Sequence, residues 1–179
     1  MFKHLLVPTD GSRLSLQAVN RAVLFAREVG ARITFFCAVQ PYPKIYYGMG
    51  GIFDANTPNK FREIMKGTAS DILDAAGKIA QEAGVECDKV MLLSEEPYEA
   101  IIKVAKQKGC DLIFMASHGR RGVKGLVLGS ETQKVLTYSC IPVLVHRGGT
   151  EGQQDESHCP GTTTGRDDDT VSPPEGRDG

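Results

Sequence analysis

Tryptophan is absent from the sequence, and no apolar run approaches the roughly 20 residues that a helix needs to cross a bilayer. The N-terminus, MFKHLLVPTDGS, has a short apolar stretch that soon meets a proline and an aspartate. It lacks the long apolar segment of a secretory signal. No membrane association is expected, and the expected location is the cytoplasm. The five cysteines, at 37, 87, 110, 140 and 159, are an odd number and show no CxxC spacing. Neither a disulfide framework nor a zinc motif is indicated; four of them read as small core residues in a reducing compartment. A dominant charge is also missing, since 21 basic residues face 22 acidic ones. The basic residues are scattered, so no stripe for nucleic acid is indicated.

What charge there is divides unevenly along the 179 residues. Residues 148–179 carry eight acidic and two basic residues, seven glycines and three prolines, and residues 1–147 carry a net charge of +5. A segment with almost no apolar side chains cannot bury enough surface to offset the entropy of ordering it. The expectation is one folded domain over residues 1–147 followed by an acidic, disordered tail over residues 148–179.

Within residues 1–147, apolar runs alternate with helical patterns. The runs lie at 4–8, 33–39, 88–94, 111–116 and 141–145, and they read as strands buried on both faces of a parallel sheet. Between them, Val19, Ala22, Val23 and Ala26 place residues 13–29 in a helix. Phe61, Ile64, Met65, Ile72, Ala76 and Ile79 do so for 58–83, and Tyr98, Ile101, Ile102 and Ala105 for 97–108. Pro58 and Pro97 suit a first helical position, and Gly30, Gly84 and Gly109 suit the residue just past a helix end. Gly67 and Gly77 fall inside the second helix, where each costs roughly 1 kcal/mol against alanine. This order predicts a doubly wound α/β domain with five parallel strands. Residues 40–57 form a long connection, read either as a flap over a ligand site or as an ordinary surface loop.

In such sheets ligands sit outside the carboxyl ends of the strands. Pro8-Thr9-Asp10-Gly11-Ser12 follows the first strand, and Val39 and Gln40 end the second. Ala116-Ser117-His118-Gly119 leaves the fourth, with Arg120, Arg121 and Lys124 beyond, and Gly129-Ser130-Glu131-Thr132 opens the last helix. Glycines at 119, 122, 125 and 129 let main-chain amides approach an anion, the basic residues attract one, and a helix start favours it. Asp10 can accept hydrogen bonds from a ribose or an adenine amine. Plainer readings stand beside these. Ser130 with Gln133 matches the capping box S-x-x-Q, and Asp10 with Ser12 can cap the first helix. His118 has no partner at metal spacing, so no metal site is expected.

Taken together, these segments make the chain resemble the universal stress protein family over residues 1–147. The resemblance rests on Val7-Pro8-Thr9-Asp10-Gly11-Ser12, on Glu96-Pro97-Tyr98-Glu99-Ala100-Ile101-Ile102 and on the stretch from Cys110 to Gly119. It continues in Leu128-Gly129-Ser130-Glu131-Thr132 and Ile141-Pro142-Val143-Leu144-Val145. The resemblance implies a Rossmann-like fold of the adenine nucleotide alpha hydrolase-like type, with strand order 3-2-1-4-5. It implies a regulatory protein of the stress response that binds ATP, with or without magnesium, or another adenine nucleotide. The family's ATP-binding members carry Gly, two residues, Gly, nine residues, Gly, then Ser or Thr. Gly119, Gly129 and Ser130 fit, and Ala116 stands at the first glycine position. With a negative φ there the added methyl is harmless; with a positive φ it costs on the order of 1 kcal/mol. Carried over by position, the binding residues are Pro8, Thr9, Asp10, Val39, Ala116, Ser117, His118, Gly119, Gly129, Ser130, Glu131 and Thr132. The resemblance also implies a homodimer through residues 141–145, an apolar sheet edge. No activated nucleophile or oriented base is evident, so no catalytic residue is assigned. A slow ATPase or self-phosphorylating protein, with Ser130 or Thr132 as acceptor, and a dimeric scaffold without nucleotide are the alternatives.

Overall fold

The computed structural model describes residues 1–41, 57–119 and 128–148. The connection at 42–56, the basic loop with Arg120, Arg121 and Lys124, and residues 149–179 lie outside the described residues. Five parallel strands alternate with four helices: β1 (His4–Pro8), α1 (Arg13–Val29), β2 (Arg32–Val39), α2 (Thr57–Glu82) and β3 (Cys87–Leu93) come first. They are followed by α3 (Pro97–Lys108), β4 (Leu112–Ala116), α4 (Ser130–Tyr138) and β5 (Val143–His146). The sheet order is β3-β2-β1-β4-β5. The chain moves outward from β1 to β3, then crosses back to β4, so the strand order reverses between β1 and β4. Leu5 and Leu6 of β1 lie in register with Ile33 and Thr34 on one side and with Leu112 and Ile113 on the other.

Alternation along the strands builds two cores. Leu5, Val7, Ile33, Phe35 and Phe114 face α1 and α2, where Val19, Ala22, Ala69 and Leu73 cover them. Leu6, Phe36, Ile113 and Met115 face α3 and α4, under Ile101, Val104 and Val135. The outer strand β3 departs from the expectation of burial on both faces. Asp88, Lys89, Met91 and Leu93 are exposed, because β3 has β2 on one side only. The last strand is likewise only half-buried, and it begins at Val143 rather than Ile141.

Local chemistry accounts for the element ends. Ser12 caps α1, its side chain accepting the amide of Ser15, and Pro97 opens α3. Gly30, Gly84 and Gly109 all take positive φ just past a helix end. Gly77 has a packing reason to interrupt α2: a Cβ there would overlap the aliphatic stem of Lys89, whose ammonium reaches Asp74 at 2.8 Å. Gly67 faces open space. Cys37 and Cys110 are buried and Cys87 is half-buried, as expected of core residues, whereas Cys140 is exposed.

The amino ends of β1 and β4 are locked by Asp111, whose carboxylate accepts the amides of Lys3 (2.8 Å) and His4 (3.0 Å). Burial alone would raise the pKa of Asp111, but these amide bonds outweigh it and hold the carboxyl below its ordinary range. His4 is buried beside them, with Nε2 2.8 Å from Thr34 Oγ1 and Nδ1 without a partner among the described residues. Burial, reinforced by Arg32, lowers its pKa.

Candidate functional site

The carboxyl ends of β1, β2 and β4 open on a cleft of about 590 Å³, a volume typical of small-molecule sites. It sits at the reversal of strand order. Of the twelve residues singled out from the sequence, eleven line it: Pro8, Thr9, Asp10, Val39, Ala116, His118, Gly119, Gly129, Ser130, Glu131 and Thr132. Ser117 lies just beneath, buried, with its amide donating to His146 O at 2.8 Å and its hydroxyl 3.2 Å from His118 Nδ1.

Backbone bonds fasten the two halves of the site. Gly129 donates its amide to Ser117 O at 2.8 Å, and Thr132 Oγ1 donates to Ala116 O at 3.1 Å. The start of α4 is therefore pinned to the end of β4. A Cβ on Gly129 would lie 3.1 Å from Cα and Cβ of His118 and 3.3 Å from Ser117 O, so only glycine allows this approach without displacement. Ala116, at the first glycine position, ends β4, and no described residue other than glycine has positive φ. Its methyl brings no backbone strain.

The cap of α4 differs from the expected box. Gly129 is the N-cap, with no side-chain capping bond, and Ser130 is the first helical residue, with its side chain exposed. Gln133 reaches back to Leu128 O at 3.1 Å instead. With Ser130 one position too late, its hydroxyl cannot close an S-x-x-Q box. The amides of Ser130, Glu131 and Thr132 occupy the first turn, where no intrahelical carbonyl serves them. Aligned with the helix dipole, they contribute a partial positive charge at the start of α4.

Across the crevice, Asp10 Oδ1 accepts the amide of Ser12 at 2.9 Å, which braces the turn before α1. The capping oxygen itself is that of Ser12 (3.2 Å to Ser15 N). Asp10 therefore supports the cap without being it. Its Oδ2 lies against Gly119. Thr9 is buried, with Oγ1 3.1 Å from Ser15 Oγ.

The structure adds residues that the sequence reading missed. Met65, Thr68, Ala69 and Ile72 of α2 form a wall near Val39. Their spacing marks one helix face, but only the fold shows that this face reaches the cleft. Glu96, Pro97 and Lys134 line the other end. There Glu131 Oε2 accepts the amide of Tyr98 at 2.9 Å, so a side chain of α4 caps α3. Lys134 Nζ is 3.1 Å from Glu96 Oε2, 3.6 Å from Glu131 Oε1 and 4.8 Å from the centre of the Tyr98 ring. The Glu96 hydrogen bond, partly offset by desolvation, raises the lysine's pKa.

An open doubly wound α/β domain with a cleft at its switch point defines the class of protein. Residues 1–147 match the universal stress protein family, and the chain belongs to that family. It is 33% identical over 151 residues to universal stress protein YxiE of Bacillus subtilis, covering 82% of this chain and 100% of that one. It is 30% identical over 145 residues to universal stress protein MJ0531 of Methanocaldococcus jannaschii, covering 81% and 82%. The solved structure of MJ0577, from the same organism, superposes with a TM-score of 0.70 at 24% identity, covering 83% of this chain and 98% of that one. A universal stress protein solved in complex with cAMP superposes with a TM-score of 0.60 at 26% identity, covering 81% and 97%.

Proposed function

We propose that this protein binds an adenine nucleotide in the cleft and acts as a regulator whose state depends on that ligand. The observation that carries the reading is the pinned start of α4. The first three residues of α4, Ser130, Glu131 and Thr132, line the cleft, and their amides belong to the turn that the bond from Gly129 N to Ser117 O pins to β4. Such an arrangement suits a phosphate. Asp10 and the main chain of Val39, at the far side of the crevice, suit the ribose and the adenine edge. The related universal stress protein bound to cAMP supports an adenylate as the ligand class. ATP is the ligand we expect, with magnesium as its counterion in solution. The hydroxyl of Thr132 is engaged by Ala116 O, whereas Ser130 is exposed, so Ser130 is the acceptor to watch if phosphoryl transfer occurs.

The half-buried edge strand β5 is our proposed dimer contact, within residues 141–145. Leu136 and Tyr138 of α4, which precede it in the chain, are also exposed. No helix among the described residues is long and apolar enough to cross a membrane, and we propose a cytoplasmic location.

Incubation with ATP labelled on the terminal phosphate tests the function directly. Retained label without released phosphate supports the regulatory reading. Released phosphate or label on Ser130 supports an enzyme, and no retention at near-millimolar ATP leaves only the scaffold.

A further inference from the structure

Lys134 is the only lysine or arginine among the described residues that line the cleft. Against it stand the carboxylates of Asp10, Glu95, Glu96 and Glu131. It lies one helical turn after Ser130, and helical side chains lean toward the N-terminus of their helix. Its stem therefore runs back over the turn whose amides face the cleft. Two carboxylates hold the ammonium there: Glu96 Oε2 at 3.1 Å and Glu131 Oε1 at 3.6 Å.

The two carboxylates are not equivalent. Glu131 is committed elsewhere, since its other oxygen caps Tyr98 N. Glu96 occupies the N-cap position of α3 but makes no capping bond with its side chain. The Lys134–Glu96 pair is about half exposed, at 41% and 51%. Exposed pairs of this kind are held weakly. A phosphate in the cleft offers the ammonium a more highly charged partner, and the exchange costs little.

We propose that Lys134 reads the phosphate charge of the bound adenylate and that Glu96 restrains it, so that this pair sets the preference for charged over uncharged adenine ligands. The proposal rests on the adenylate reading and deepens it. Glu96 is a positioning residue here: it acts on the ligand through Lys134 and by its own repulsion of an anion. Adenosine, which has no phosphate, should be indifferent to both residues.

Titration calorimetry of the full chain with adenosine, AMP and ATP tests this. Lys134→Gln should weaken AMP and ATP by about tenfold, the scale of a lost charged hydrogen bond, and leave adenosine within about twofold. Lys134→Arg should restore most of the loss. Glu96→Gln, which removes the restraint and leaves the α3 cap untouched, should tighten AMP and ATP about threefold and leave adenosine unchanged. Melting temperatures of all three variants verify that each is folded. Equal effects on adenosine and AMP, or no gain from Glu96→Gln, overturn the proposal while the adenylate reading stands. If the wild-type chain binds none of the three ligands, both are overturned.

Discussion

A methyl group on Gly119 would lie 2.5 Å from Oδ2 of Asp10. The carboxylate that follows β1 and the glycine that follows β4 thus share one site across the crevice where strand order reverses. Asp10 cannot simply turn aside, because Oδ1 holds the amide of Ser12. Gly119→Ala should therefore displace the carboxylate and weaken adenosine binding by about tenfold, the worth of a charged hydrogen bond. Unchanged affinity, measured by calorimetry, would show that Asp10 does not contact the ligand.

Asp10→Ala should act on stability as well as on binding. It removes the brace of the α1 turn, a loss of about 1 kcal/mol by analogy with capping residues. Thermal unfolding reads this loss without ligand. A lower melting temperature with unaltered adenylate affinity would leave Asp10 a purely structural role.

His4 should make the fold sensitive to acid. Its folded pKa is lowered by burial, so below about 6.5 the unfolded chain binds more protons than the folded one. Stability should be level above that pH and fall as pH decreases through it. His4→Gln keeps a group able to bond Thr34 and removes the titration. Its urea midpoints between pH 5 and 8 should vary less than those of the wild type. Some slope should remain, because burial, with Arg21 adding to it, also lowers His146. An unchanged slope would remove His4 from the account.

The two glycines of α2 should respond differently to alanine. Gly67 faces open space, and Gly67→Ala should stabilise the protein by roughly 0.5–1 kcal/mol. Gly77→Ala gains the same propensity but must push Lys89 off its seat and strain the 2.8 Å contact with Asp74. Its net effect should be smaller than that of Gly67→Ala. Chemical denaturation of the two variants compares them directly.

Much of the fold can be read along the chain because its signals are local. Gly30, Gly84 and Gly109 end helices, Pro97 starts one, and the apolar runs between them are strands. The boundaries differ by a residue or two, as at β5. The exposure of Met91 and Leu93 is not a local property. It follows from the position of β3 at the sheet edge, and an isolated run such as VMLL carries no mark of its neighbours. The candidate site divides in the same way. Asp10, Gly119 and Gly129 stand next to strand ends and can be found by that rule alone. Met65, Thr68, Ala69 and Ile72 reach the cleft only because α2 packs across β2. The bond from Tyr98 N to Glu131 spans 33 residues, and no spacing rule brings those two helix starts together. The S-x-x-Q reading of Ser130 failed because the cap sits one residue earlier, at a glycine that no side-chain rule selects.

We place the phosphate of an adenylate at the first turn of α4, which Gly129 and Thr132 pin to the end of β4. Equilibrium dialysis of wild-type protein and Gly129→Val against near-millimolar labelled AMP and ATP tests this placement most directly, with circular dichroism to verify the fold of the variant. A valine at 129 would force His118 and Ser117 away from α4. The account predicts close to one adenine nucleotide per wild-type chain and none on the folded variant. Equal retention by both proteins, or none by the wild type, would contradict it.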